Sequence, residues 1–163
     1  MTTASVAYGS STAMTITLTS LASSSTLLAG RESTVVDNTG TLALDYLVGG
    51  KIRAGAGTPI AGQIEVWAAG SYDGTTFAGI VGTGDAALTL TNEKPRMSLL
   101  DIIAVDTTAS HTYEFGPKSI AQAFGGVVPK KWGIFVVHNS SATLSATAAD
   151  HEIKYTAINY TSA

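Results

Sequence analysis

Apolar and polar positions alternate with a period of two along much of this chain, and the helical period of 3.6 residues is almost absent. Met14-Thr15-Ile16-Thr17-Leu18 alternates apolar and hydroxyl side chains, the pattern of a half-buried strand. Leu42, Leu44, Tyr46 and Val48 share one face of a second strand, which continues past Gly49-Gly50 toward Ile52. Ile64, Val66 and Ala68 form the core face of a third strand, with Gln63, Glu65 and Trp67 on its opposite face. The Ser71-Tyr72-Asp73-Gly74 turn then predicts a hairpin into a strand over Phe77–Val81, because Gly accepts the positive φ that such a turn requires. Further strands are predicted over Leu88–Leu90, Met97–Val105, His111–Phe115, Lys131–Asn139 and Glu152–Tyr160. Leu99–Ile103 is also compatible with the start of a buried helix, although its β-branched residues favour a strand.

One short helix is predicted within Pro117–Phe124. Ser119 is placed to cap it and Gln122 stands at the capping-box position, with Gly125-Gly126 as the stop and Ile120 and Phe124 facing inward. About eight to ten short strands separated by turn signals read as an all-β fold, an antiparallel β-sandwich or jelly roll with one short helix. Residues 1–11 carry few apolar groups (Met1, Val6 and Tyr8 are the larger ones) and no charge. They read as a flexible N-terminal arm ahead of a single sandwich domain over residues 12–163. Ser20–Thr26 reads as a Ser/Thr-rich connecting loop.

Composition narrows the function. Charged residues make up only 13% of the 163, about half the usual share, and small neutral residues fill the deficit. Such a surface suits burial against another protein, since desolvating Lys or Glu is expensive. A net charge of −3 argues against a nucleic-acid partner, which demands a basic stripe. No run is long and apolar enough to predict a membrane span, and the first residues lack the basic and apolar segments of a signal peptide. The chain contains no cysteine, so no disulfide or thiolate chemistry is available to it.

The residues that could carry chemistry are scattered. His111, His138 and His151 lack the paired spacing of metal ligands, and the adjacent His151 and Glu152 point to opposite faces of a strand. No nucleophile turn of the G-x-S-x-G kind occurs, the acidic residues sit beside turn residues, and the G-x-G pieces at Gly55 and Gly82 lead into no helix. These observations predict no catalytic residue, no cofactor and no metal: the chain is expected not to be an enzyme. Asp45 interrupts an otherwise apolar strand. It either faces inward to pair with Arg31, Lys51 or Arg53, or belongs to the polar outer face. Lys130-Lys131-Trp132 is the densest cation and aromatic cluster, readable as a docking patch or as a turn entering a core strand with Trp132 packed inside. The partner-interface candidates are therefore Val6, Tyr8, Lys130, Lys131 and Trp132. Trp67, Tyr72 and Phe77 near the 71–74 turn could alternatively form an aromatic platform of a carbohydrate-binding module.

Several phrases resemble small virion proteins of tailed bacteriophages. They are Ala29-Gly30-Arg31-Glu32-Ser33-Thr34, Asp37-Asn38, Leu44-Asp45-Tyr46 and Gln63-Ile64-Glu65-Val66-Trp67 running into Gly70–Gly74. The longest is Phe115-Gly116-Pro117-Lys118-Ser119-Ile120-Ala121 with Phe124-Gly125-Gly126 and Pro129-Lys130-Lys131-Trp132-Gly133. The resemblance runs from about Leu21 onward and lies in structural punctuation, with no catalytic residue to carry over. It implies a sandwich or jelly-roll component of the virion, made in the host cytoplasm. The expected type is a capsid decoration (cement) protein that binds the major capsid protein and self-associates as a dimer or trimer, with a tail- or fibre-associated module as the other virion reading.

Overall fold

A computed structural model describes residues 4–162 of the chain. Its strands form two antiparallel sheets packed face to face, an all-β sandwich. The strands are β1 (Ala4–Tyr8), β2 (Thr12–Ala13), β3 (Ala29–Glu32), β4 (Val36–Asp37), β5 (Asp45–Arg53), β6 (Gly62–Ser71), β7 (Ala86–Thr89), β8 (Ser98–Val105), β9 (Thr112–Ser119), β10 (Lys131–His138) and β11 (Glu152–Ser162). The first sheet has the order β1-β11-β5-β9, with β2 also on β11. The second has the order β7-β3-β10-β6-β8, with β4 also on β10.

Alternation on each strand fills the space between the sheets. Tyr46, Val48 and Ile52 of β5 meet Ile64, Val66 and Ala68 of β6 and Trp132, Ile134 and Val136 of β10 in one continuous core. β10 and β6 are buried on their other faces too. Phe135, Val137, Ala69 and the part-buried Trp67 pack under Ile80, Leu90 and Met97 of the 72–97 segment, forming a smaller second core. This double burial explains why Ile134–Val137 reads as an unbroken apolar run. It also overturns the expectation of a polar outer face on β6: Glu65 is 6% exposed and lies beneath this cover.

The cover arises from the failure of the expected hairpin. Beyond Ser71 the chain cannot return along β6, because β10 and β8 already occupy both of its edges. The Asp73 carboxylate instead accepts from the Thr75 and Thr76 amides, Gly74 adopts φ +88°, and Phe77–Val81 crosses the sheet as a loop and forms no strand. Buried Glu32 ties this loop down by accepting from the Val81 and Gly82 amides through Oε2, at 2.7 and 3.2 Å.

Two other segments depart from expectation. Met14 and Leu18 are buried and Thr15 and Thr17 exposed, as alternation predicts, but the segment joins no ladder. Met14 N still donates to Ile153 O of β11, but beyond it the polar groups are met by loops, Thr17 N donating to Asp85 Oδ1 and Thr34 N to Thr15 O. Leu42 and Leu44 lie outside the strand, which begins at Asp45, and Leu42 has φ +50°. The helix α1 (Ile120–Ala123) is capped as predicted, with Gln122 N donating to Ser119 Oγ at 2.9 Å. Asp45 accepts from the Ala121 amide at that same helix start and from its own neighbour Tyr46 N, so it pairs with none of the three candidate cations.

Candidate functional site

The two sheets are unequally covered. Phe77, Ile80, Leu90 and Met97, on the connections either side of β7, pack over the second sheet, whereas the outer face of the first sheet carries no such layer among the described residues. On that bare face the register aligns Tyr8 with Ile158 and Val6 with Tyr160, then Thr156 with Leu47 and Lys154 with Gly49. Val6, Tyr8 and Tyr160 are 54%, 68% and 67% exposed. Cross-strand alignment thus makes a surface stripe of aromatic and β-branched side chains, pairs that also stabilise the β1–β11 ladder.

Beside this stripe the sheet dips into a depression of about 390 Å³, walled by Tyr8, Leu47 and Pro117. Its floor is Gly49-Gly50, where the β5–β9 register shifts between Val48 and Gly50. A side chain at Gly50 is excluded by packing, since a Cβ there would stand 2.1 Å from Glu152 O. The missing side chains leave the hollow. At its rim Glu152 Oε1 and Lys154 Nζ pair at 2.7 Å, and the bond from Lys154 lowers the Glu152 pKa. The pair is neutral overall, and Ser11 and Thr156 add neutral hydroxyls. The hollow is thus lined by apolar groups and neutral hydroxyls, with one internally balanced ion pair at its rim.

The predicted interface residues are divided between the sheets. Val6 and Tyr8 are on the bare face. Lys130 precedes β10 and is exposed; Lys131 is half-buried with Nζ 3.6 Å from Asp37 Oδ2. Trp132 corrects the docking-patch reading, because it is fully buried between Tyr46 and Tyr155, with ring centroids 5.3 and 5.7 Å away. It begins the β10 core face, and the turn before it leaves only the lysines outside. Residues 1–11 also differ from the expected arm: Ala4–Tyr8 is laddered onto β11, while Met1 to Thr3 lie outside the described residues. Main-chain pairing seats the segment even though its larger side chains stay exposed.

The three aromatic residues weighed as a glycan platform do not share an exposed plane. Trp67 lies on the covered face of β6 and Phe77, on the covering loop, packs into the second core; the Trp67 indole donates to Glu65, and Lys94 Nζ sits 5.1 Å from its ring centroid. Tyr72 stands edge-on to Phe124, which packs on the main core. The histidines are held separately. His138 is buried with Nδ1 on Ser140 Oγ and Nε2 on Leu21 O, and burial lowers its pKa. His151 bonds Ser145 O, and His111 bonds Asp106. Among the described residues, no group of three or more His, Asp or Glu could hold a metal ion, and no helix is long and apolar enough to cross a membrane.

Sequence reasoning missed Leu47, Ile158 and Tyr160 as surface residues. The signal was the parity of Lys154, Thr156, Ile158 and Tyr160, which follow Glu152 on one face of a strand. Comparison with protein-family models, with curated proteins and with solved structures finds no match. The likeness to phage virion proteins therefore rests on the sequence phrases themselves.

Proposed function

We propose that this chain is a structural protein of a bacteriophage particle, a decoration protein that binds the assembled lattice of the major capsid protein on its outside. The bare outer face of the β1-β11-β5-β9 sheet carries the reading on the structural side. Among the described residues it is the broad surface left uncovered, while the opposite sheet is covered by the connections that flank β7. The sequence phrases described above supply the choice of a virion over other assemblies. A decoration protein acts by preferring the assembled lattice, so that its binding free energy adds to shell stability by linkage. Many identical weak contacts suffice when the lattice is multivalent.

The test is rebinding. Purified protein added to particles that lack it should saturate at a fixed ratio to the capsid protein and raise the temperature at which the shell opens. Density on the head in electron cryomicroscopy should follow. Binding to isolated tails instead of heads would transfer the chain to the tail-module reading, and binding to neither would overturn the proposal.

A further inference from the structure

The β1–β11 pair extends beyond the rest of its sheet. β5 ends opposite Ile158 at Asp45, so Asn159–Ser162 are paired with β1 alone. Ser5, Val6, Tyr8, Tyr160 and Thr161 are all exposed, which puts accessible side chains on both faces of this two-stranded ribbon. The ladder identifies where its main-chain groups point. Gly9 N donates to Ala157 O at 2.8 Å, continuing the register that pairs Ala7 with Asn159 and Ser5 with Thr161. In an antiparallel pair, bonded and non-bonded residue pairs alternate. Ser5, Ala7 and Gly9 therefore bond β11, while the N–H and C=O groups of Ala4, Val6 and Tyr8 point away from it, toward the open edge.

We infer that this open edge of β1 docks against the same edge of a second copy of the chain, antiparallel about a two-fold axis at Val6. The three outward-pointing residues are symmetric about Val6, so one register brings Val6 to Val6 and Ala4 to Tyr8 of the other copy, with every pair a bonded one. Side-chain sizes agree with this register. Two β-branched valines meet at the axis, and each large Tyr8 lies beside a small Ala4. An isologous contact sets each charge against a like charge at or near the axis. β1 and its partner segment Ile158–Ser162 contain no charged residue, so none is created. The other edge of the same sheet, β9, contrasts: Glu114, Pro117 and Lys118 are the residues by which edges resist pairing. The pairing would continue the Val6–Tyr160 stripe across the axis into the second copy. It concerns the chain by itself and goes beyond the capsid reading, which can fail without it.

Sedimentation velocity and native mass spectrometry on the full chain, with no particle present, provide the test. Wild type should dimerise below about 100 µM, a range that includes micromolar dissociation constants. Val6→Lys and Val6→Glu, each at an exposed position, should retain the wild-type melting profile at low concentration but weaken the dimer by about tenfold or more. Mixing the two variants should restore a heterodimer, since Lys then faces Glu across the axis. Wild type that stays monomeric, a dimer indifferent to both variants, or variants that weaken the dimer but do not recover on mixing would each overturn the inference.

Discussion

Glu65→Ala tests whether the second sheet is truly buried on both faces. Glu65 accepts from Gln63 Nε2 at 2.6 Å and from Trp67 Nε1 at 2.8 Å, and forms an ion pair with Lys94. The Glu65 and Lys94 side chains retain 7% and 18% of their exposure. Breaking a buried pair by deleting one partner costs about 3–5 kcal/mol, because the remaining charge is uncompensated. Lys94 keeps its bond to Leu27 O at 2.8 Å and some contact with water, which places the cost near about 3 kcal/mol. For a chain of this size that is a fall in Tm of about 6–12 °C. Glu65→Gln keeps an acceptor for the indole and should cost about 1–2 kcal/mol. Replacing both partners with apolar residues, Glu65→Leu with Lys94→Met, should recover most of the loss, since no charge is then stranded. Thermal unfolding by circular dichroism gives the magnitudes, and the change in tryptophan fluorescence relative to wild type, to which Trp67 and Trp132 both contribute, reports the local site. A Glu65→Ala shift below about 2 °C, within the range of ordinary surface substitutions, would refute double burial.

Val66, with no exposure at all, faces the main core, so Val66→Asp should cost more than about 4 kcal/mol and leave little folded protein by circular dichroism; a cooperative melt near wild type would mean that the β6 faces are misassigned. Gly50→Ala should lose about 2–3 kcal/mol in denaturant titration, because the added Cβ meets Glu152 O at 2.1 Å, whereas Gly116→Ala, with nothing within 4 Å, should cost far less; equal losses would reject the close-approach argument. His138 is kept neutral because burial holds its pKa below 6.5, against the opposing bond to Leu21 O. Its contribution is complete above pH 6.5 and is lost as the pH falls below that value, where the unfolded chain binds the proton, at up to about 1.4 kcal/mol per pH unit. His138→Gln should flatten the Tm profile between about pH 6.5 and 5, and an unchanged slope would assign it to another group.

The elements that local patterning announced are those whose structure depends on local facts. The Ser119 cap, the Ile64–Val66–Ala68 face and the apolar run of β10 all follow from residues within a few positions of one another. Sequence reading failed where the deciding fact was the occupancy of a distant edge. Phe77–Val81 has strand composition, but whether β6 has a free edge depends on β8 and β10, the latter some 60 residues away. The same loop reverses the meaning of Glu65, since a carboxylate on an alternating strand reads as solvent-facing until something covers it. Residues 4–8 misled for the opposite reason. Their lack of apolar bulk leaves little side-chain burial to offset ordering entropy, but the ladder with β11 supplies main-chain bonds that no side-chain count reveals. Among the interface candidates, Val6 and Tyr8 are exposed and Trp132 is buried, a difference the sequence does not carry: an aromatic beside two lysines looks alike at a surface anchor and at the first residue of a core strand.

The bare sheet combines two tendencies that usually conflict. Along its middle, Lys51, Glu152 and Lys154 interrupt the apolar side chains and the glycines remove others, so the face can remain in water. At the β1 edge these protections stop, and the Val6–Tyr160 pair stands exposed beside main-chain groups that point away from β11. A two-stranded ribbon by itself is marginally stable. Pairing β1 with a second copy would convert two such ribbons into a four-stranded centre, satisfying the outward amides while leaving the glycine-floored hollow of each copy unoccupied. Self-association would then use the main-chain groups along the β1 edge, and attachment to a larger surface would use the side chains of the sheet face, Val6 and Tyr8 belonging to both. The first would double the number of faces presented together, and each contact with a repeating lattice could remain weak while the pair held firmly.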